Sequence, residues 1–215
     1  YHFRPTYNNL ANTSDLDLEN GTYTATATCT DNAGNVVNTS KKVWLRKFVL
    51  VSFDKTSGTG TMGSQECYIK ENCTLDANKF TKVGHTFIGW ATSSSGNVAY
   101  NDEGIVVVDK DTVLYAKWKP NVYTVTYNLN GGTNSGSNPG SYTYGVGIPS
   151  LADASKRGHT FEGWYSDSSL TTKVTSISTT DLGNKTLYAK WIPNVYTITY
   201  VLNGGTNSGS NPGSY

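Results

Sequence analysis

The segment PNVYTVTYNLNGGTNSGSNPGSY at residues 120–142 returns 73 residues later as PNVYTITYVLNGGTNSGSNPGSY at 193–215, with 21 of 23 positions identical. A repeat of this length means that one small structural unit is built more than once along the chain, each unit closing its own core. Two more landmarks recur. GHTFIGW at 84–90 comes back as GHTFEGW at 158–164, and LYAKW at 114–118 as LYAKW at 187–191. VSF at 51–53 stands where the second unit has VTY at 125–127. The spacing divides the chain into a different N-terminal piece over 1–47, a first unit over 48–119, a second over 120–192, and the start of a third over 193–215.

Inside each unit the hydrophobic pattern has period two. Tyr123, Val125, Tyr127 and Leu129 fall on one side of an extended segment, with Thr124, Thr126 and Asn128 on the other. Alternation of this kind, rich in β-branched and aromatic residues, predicts a half-buried strand. Asn130-Gly131-Gly132 then supplies residues that tolerate positive φ, so the chain turns there. The same alternation over His159 to Tyr165 predicts Phe161 and Gly163 on one face and Trp164 on the other. The closing strand 187–191 sets Leu187, Ala189 and Trp191 inward, with Tyr188 and Lys190 outward. Ser166 to Asn184 is polar, with room for one short helix or turn near 179–183. No long amphipathic helix is encoded, and the expected class is mainly β. A unit of about 73 residues buries only about 60 % of its unfolded surface, so Trp90, Trp118, Trp164 and Trp191 are expected mainly in the cores, where each large ring contributes most.

Strand and GG turn, then GHTFxGW, then LYAKW: this order resembles the Listeria–Bacteroides repeat, the B repeat of internalin B, from about Phe48 to Tyr215. The resemblance implies β-grasp-like (ubiquitin-like, α+β) modules in arrays on secreted and wall-attached bacterial proteins, acting in surface presentation or host-cell contact rather than catalysis. Two features depart from the pattern. His85 and His159 stand where Tyr is usual, and Cys67 and Cys73 of the first unit align with Ser141 and Gly147 of the second. The N-terminal piece differs: Gly21 to Thr30 alternates Tyr23, Ala25, Ala27 and Cys29 against threonines, DNAGN at 31–35 reads as a hairpin turn, and 36–45 as the returning strand. It resembles the last strands of a bacterial immunoglobulin-like domain.

Seventeen Lys and Arg oppose sixteen Asp and Glu, with no basic run, which argues against nucleic acid as a partner. No apolar stretch reaches the roughly 18 residues that span a bilayer, so no membrane insertion is expected of this piece. The chain starts at Tyr1 rather than Met and stops inside a repeat, so both ends read as cuts in a longer polypeptide. Cys67 and Cys73 flank a short polar segment and read as a hairpin-closing disulfide, against the alternative of two unrelated reduced thiols. A disulfide favours an extracytoplasmic location. Cys29 either pairs outside the chain or remains free.

Candidate chemistry is sparse. The glycine-rich loop 131–140 lacks the GK[ST] ending of a phosphate-binding loop and opens no helix, so it reads as a flexible connection. His85 and His159 are repeat equivalents and read as turn residues, since a catalytic histidine needs its own partner set. Asp15, Asp17, Glu19 and Asp31 read as solvated loop acids, with structural calcium as the alternative. No cofactor, metal or catalytic residue is assigned. The best contact patch is Tyr115 and Lys117 with their equivalents Tyr188 and Lys190, aromatic and cationic groups on one strand face; the alternative is that they pack on a neighbouring module or on their own edge. The expectation is a monomeric, non-enzymatic, extracellular protein of the bacterial surface or wall. Its modules would act as adhesin-type spacers through the Pro-Asn-Val joints at 120–122 and 193–195. The alternatives are a dedicated binder of host protein or glycan, or a non-catalytic appendage of a secreted enzyme.

Overall fold

The computed structural model describes residues 21–215. The chain divides into two compact units, one taking in the described residues up to Lys82 with Phe87–Trp118, the other Val83–Thr86 with Lys119–Tyr215. No helix occurs among the described residues, and the architecture is all β.

Strands β1 (Gly21–Thr30) and β2 (Val36–Leu45) form a two-stranded antiparallel ribbon, paired from Gly21↔Leu45 to Thr30↔Val36. The DNAGN turn forms as expected: Asp31 Oδ1 accepts from the N–H groups of Ala33 and Asn35, both at 2.9 Å, and Oδ2 from Asn35 Nδ2 at 2.8 Å. This is an Asx turn, in which the carboxylate replaces backbone partners and makes the reversal local. The bonds from Asn35 hold the Asp31 carboxyl below its ordinary range. The pairing puts Tyr23, Val43, Cys29 and Val37 on one side of the ribbon, and Cys29 is an exposed free thiol. Asp15, Asp17 and Glu19 lie outside the described residues.

The first repeat contains β3 (Phe48–Asp54), β4 (Gln65–Tyr68), β5 (Cys73–Thr74), β6 (His85–Ala91), β7 (Ile105–Val106) and β8 (Thr112–Pro120). The sheet runs β4-β3-β8-β6, with first and last strands parallel through Val51↔Thr112 to Asp54↔Tyr115, and β5 pairs with β7 apart from it. Val51, Leu75, Trp90, Val106, Leu114 and Ala116 fill the core. Cys67 of β4 and Cys73 of β5 are joined by a disulfide, with their Cα atoms 5.6 Å apart. Arg46 caps the entrance to this repeat, its guanidinium 3.7 Å from the Tyr68 ring centroid and paired with Glu71.

The second repeat follows the same plan with β9 (Val122–Asn128), β10 (Ser141–Thr143), β11 (His159–Tyr165), β12 (Lys173–Val174) and β13 (Lys185–Pro193). Its order is β10-β9-β13-β11-β12, again with first and last strands parallel, Lys185↔Val125 to Tyr188↔Asn128. Parallel neighbours need a long crossover, which is why the first strand and the LYAKW strand are so far apart in sequence yet adjacent in space. Val125, Tyr142, Trp164, Leu187 and Ala189 form the core, and Leu187 and Ala189 point inward as the alternation requires. The turn at Asn130-Gly131 uses positive φ of 47° and 85°. Gly132 is needed for contact: a Cβ there would sit 2.3 Å from Trp191 Cζ2.

Two expectations are corrected. Phe161 and Trp164 share the core, their centroids 5.3 Å apart. Pairing with β13 jumps from Phe161↔Trp191 to Gly163↔Lys190, so Glu162 is an extra, unpaired residue. This β-bulge, with Gly163 at φ +148°, shifts the alternation by one and returns Trp164 to the side of Phe161. The stretch at 179–183, where a short helix or turn is expected, takes the turn, with Asp181 N donating to Ser178 O at 3.2 Å. The glycine-rich loop is held at its middle rather than free: buried Asn138 donates to Ala152 O at 2.9 Å and to Asn134 Oδ1 at 2.8 Å, and accepts from Ala152 N at 2.7 Å.

In the last segment, the N–H of each of Tyr196 and Tyr215 bonds the other's carbonyl, at 2.9 and 3.0 Å, and Ile198 N reaches Gly213 O. Its side chains are almost all exposed.

Candidate functional site

The bulge that corrects the strand also aims a carboxylate. Extruded from the ladder, Glu162 meets Lys190, which stands opposite Gly163 on β13, with Nζ 2.9 Å from Oε1. Two residues past the bulge glycine, Tyr165 donates its hydroxyl to the same Oε1 at 2.8 Å. Lys190 Nζ also lies 5.1 Å from the Tyr165 ring centroid, so one ammonium serves an ion pair and a cation–π contact. Lys173 of β12 donates from Nζ to the Glu162 carbonyl. An open depression of about 280 Å³ adjoins this cluster, with Phe161, Leu151 and Val174 as apolar wall and Asp153, Glu162 and Lys173 as polar rim.

The electrostatics move all three groups away from neutral titration. The hydrogen bond from Lys190, then that from Tyr165, lowers the Glu162 pKa, while Glu162 raises those of Lys190 and Tyr165. A general acid or base works best with a pKa near neutrality. Here the carboxyl, already acidic, is made more so, and the ammonium and phenol, already weakly acidic, less so. Each group is moved away from the range that would let it exchange protons at pH 7.

All four residues of the expected patch are half-buried on their strands. Tyr115 and Lys117 belong to the first unit and Tyr188 and Lys190 to the second, so each pair is a feature of its own sheet. Lys190 is drawn into the Glu162 cluster, and Tyr188 pairs across the ladder with Tyr165. Lys117 Nζ instead donates to Ser94 O at 3.4 Å. At the positions of Glu162 and Tyr165 the first repeat has Ile88, exposed, and Ala91, buried. The two modules therefore share a core and differ on this face. Glu162, Tyr165 and Lys173 were not singled out from the sequence. The available signal was the contrast GHTFIGWA against GHTFEGWY, whose two differences both fall beside the shared lysine. His85 and His159 each bond a carbonyl two residues back, Val83 O at 2.8 Å and Arg157 O at 3.0 Å, the geometry of turn residues. Among the described residues no group of three or more His, Cys, Asp or Glu could hold a metal ion.

Two copies of one small all-β module, with matching strand orders and matching aromatic cores, define a tandem-repeat protein. The chain belongs to the Listeria-Bacteroides repeat domain family, whose model matches residues 50–117 and 123–190. Among curated proteins it is similar to Internalin H of Listeria monocytogenes, 29 % identical over 195 residues, covering 82 % of this chain and 34 % of that protein. It is also similar to two proteins of Evansella cellulosilytica. One is described as a Gly-rich membrane protein, 38 % identical over 125 residues, 58 % of this chain and 14 % of that protein. The other is described as a membrane protein, 37 % identical over 126 residues, 59 % of this chain and 18 % of that protein. The chain thus spans about a third or less of the length of these relatives. No solved structure matches it. Among the described residues no helix is long and apolar enough to cross a membrane.

Proposed function

We propose that this chain is part of a bacterial cell-surface or secreted repeat protein and that its modules are non-enzymatic, adhesin-type spacer and interaction units. The observation that carries the reading is one core built twice beneath two different sheet faces. Trp90 and Trp164, Leu114 and Leu187, Ala116 and Ala189 are equivalent and buried, while Ile88 and Glu162 diverge on the outside. A scaffold held constant under a varied surface suits display. Family membership and the relative named Internalin H support a surface setting, and the Cys67–Cys73 bridge fits an oxidising, extracellular compartment. In this reading the boundaries are 48–119 and 120–192, the chain is monomeric, and 21–45 is the final hairpin of an immunoglobulin-like domain.

The test is to display the parent protein on cells and replace 120–192 with an unrelated module of equal length. A spacer role expects host-cell attachment to survive the exchange. A second reading, direct contact with a host protein or glycan, is favoured by the Glu162–Lys190–Tyr165 cluster beside the open depression. It expects attachment to fall after the exchange, and equally after Tyr115, Lys117, Tyr188 and Lys190 are changed to Ala. Attachment unchanged in every variant leaves only the spacer role.

A further inference from the structure

Asn121 has every one of its hydrogen-bonding groups engaged. Its N–H donates to Gly84 O at 2.8 Å and its carbonyl accepts from Tyr144 N at 2.9 Å. Oδ1 accepts from Thr86 Oγ1 at 2.7 Å, and Nδ2 donates to Tyr123 Oη at 3.3 Å. Val83–Thr86 belongs to the second compact unit, and within that unit the Tyr144 ring lies directly on it. A Cβ built on Gly84 would stand 2.3 Å from Tyr144 Cγ, and the His85 ring meets Tyr144 edge-on with centroids 5.5 Å apart. Glycine at 84 is thus required twice, for φ +67° and for the approach of the ring.

The same scaffold stands one repeat later. Asn194 N donates to Gly158 O at 2.9 Å, Thr160 Oγ1 donates to Asn194 Oδ1 at 2.7 Å, and Asn194 Nδ2 donates to Tyr196 Oη at 3.2 Å. Gly158 repeats the left-handed turn at φ +71°, and His159 is held by Arg157 O as His85 is by Val83 O. The difference lies in what covers it. Space beside Gly158 is open to 4 Å around a built Cβ, and no described donor reaches the Asn194 carbonyl.

We propose that Gly158, His159 and Asn194 form a docking site for the tyrosine ring of a further module of the same kind, joined through Pro193-Asn194-Val195. The first copy of the site supplies the template: ring against glycine, edge against imidazole, and the backbone N–H of the ring's own residue to the asparagine carbonyl. Gly158 needs glycine for its left-handed φ, as Gly84 does, and the two turns carry the same asparagine and threonine bonds, so the face that takes a ring at Gly84 is built again at Gly158. Tyr144 follows Tyr142 by two residues, and Tyr215 is the equivalent of Tyr142, so the ring belongs to the second residue beyond Tyr215 in register. This goes beyond the display reading, because it specifies where the next module is gripped, whatever the array presents.

The experiment is NMR of the full chain extended at its C-terminus by Thr-Tyr-Gly, the residues that follow Tyr142, with a Thr-Ala-Gly extension as reference. The Tyr extension is expected to shift the His159 ring protons and to slow exchange of its own tyrosine amide. Tyr144→Ala calibrates the effect by moving the His85 ring protons and sparing those of His159. Gly158→Asn tolerates the left-handed φ but adds a Cβ, and is expected to abolish the His159 shift. The proposal is overturned if the Tyr and Ala extensions leave His159 alike, if Gly158→Asn retains the shift, or if Tyr144→Ala fails to move His85. Each of those results leaves the surface-display reading intact.

Discussion

Trp90 and Trp164 are repeat equivalents with buried indoles, yet they differ in one bond. Trp164 Nε1 donates to Ala152 O at 2.9 Å, whereas Trp90 Nε1 is buried with no partner among the described residues. Replacing each by Phe removes a similar amount of ring from a similar aromatic nest, formed by Phe53, Phe80 and Phe87 around Trp90 and by Tyr127 and Phe161 around Trp164. That shared packing loss is roughly 1–2 kcal/mol. At Trp164 the lost hydrogen bond adds about 1 kcal/mol. Its acceptor keeps a partner, because Asn138 Nδ2 also donates to Ala152 O, so no larger penalty follows. At Trp90 the substitution removes an unsatisfied donor, which returns roughly 1–3 kcal/mol. Trp164→Phe is therefore expected to cost the second module roughly 2–3 kcal/mol. Trp90→Phe is expected to leave the first nearly unchanged, and a gap of about 2 kcal/mol separates the two. Native-state hydrogen exchange read at the amides of Leu114 and Leu187, in the middle of each sheet, reports the modules separately. Equal losses at the two sites, or a larger loss for Trp90→Phe, would refute the reasoning.

The Cys67–Cys73 bridge closes a loop in the first module alone, so its reduction should quicken exchange at Leu114 through a stability loss of about 2 kcal/mol from loop entropy, with Leu187 unaffected. Asn138→Ala strands the N–H of Ala152 and is expected to cost the second module about 2 kcal/mol, seen as earlier urea unfolding of Tyr142 and Trp164 resonances. The Glu162 pKa is lowered on folding, so its contribution is present above the ordinary glutamate pKa and is lost as pH falls through the lowered folded value. Acid titration should weaken the second module more steeply than a Glu162→Gln variant, and matching slopes would count against the cluster. The Lys190 pKa is raised, so its contribution persists through neutrality and is lost only as pH rises through the raised folded value.

Much was legible before any coordinates. Self-similarity at 73 residues required modules. Alternation located the first and last strands, because burial on one face of a pleated segment writes a period of two into the chain. The DNAGN reversal and the Cys67–Cys73 pair were readable because their partners are close in sequence. The side on which Trp164 falls was not readable, because a bulge is a property of the ladder: which residue is extruded depends on the register set by β13. The Glu162 cluster was hidden for the same reason, since only that extrusion brings the carboxylate to Lys190 and Tyr165.

By itself, then, the sequence determined the module, its repetition and the pattern of inward aromatic residues, all consequences of local periodicity and composition. The tertiary structure alone decided that the first and last strands lie parallel side by side and that a bulge turns the GHTFEGW segment. It also decided that Trp90 Nε1 has no partner among the described residues while Trp164 Nε1 has one, and that Tyr144 reaches Gly84. The physical reason is distance along the chain. Each of these depends on groups 12 or more residues apart, whose meeting is set by the closure of the whole sheet and leaves no periodic mark on either segment.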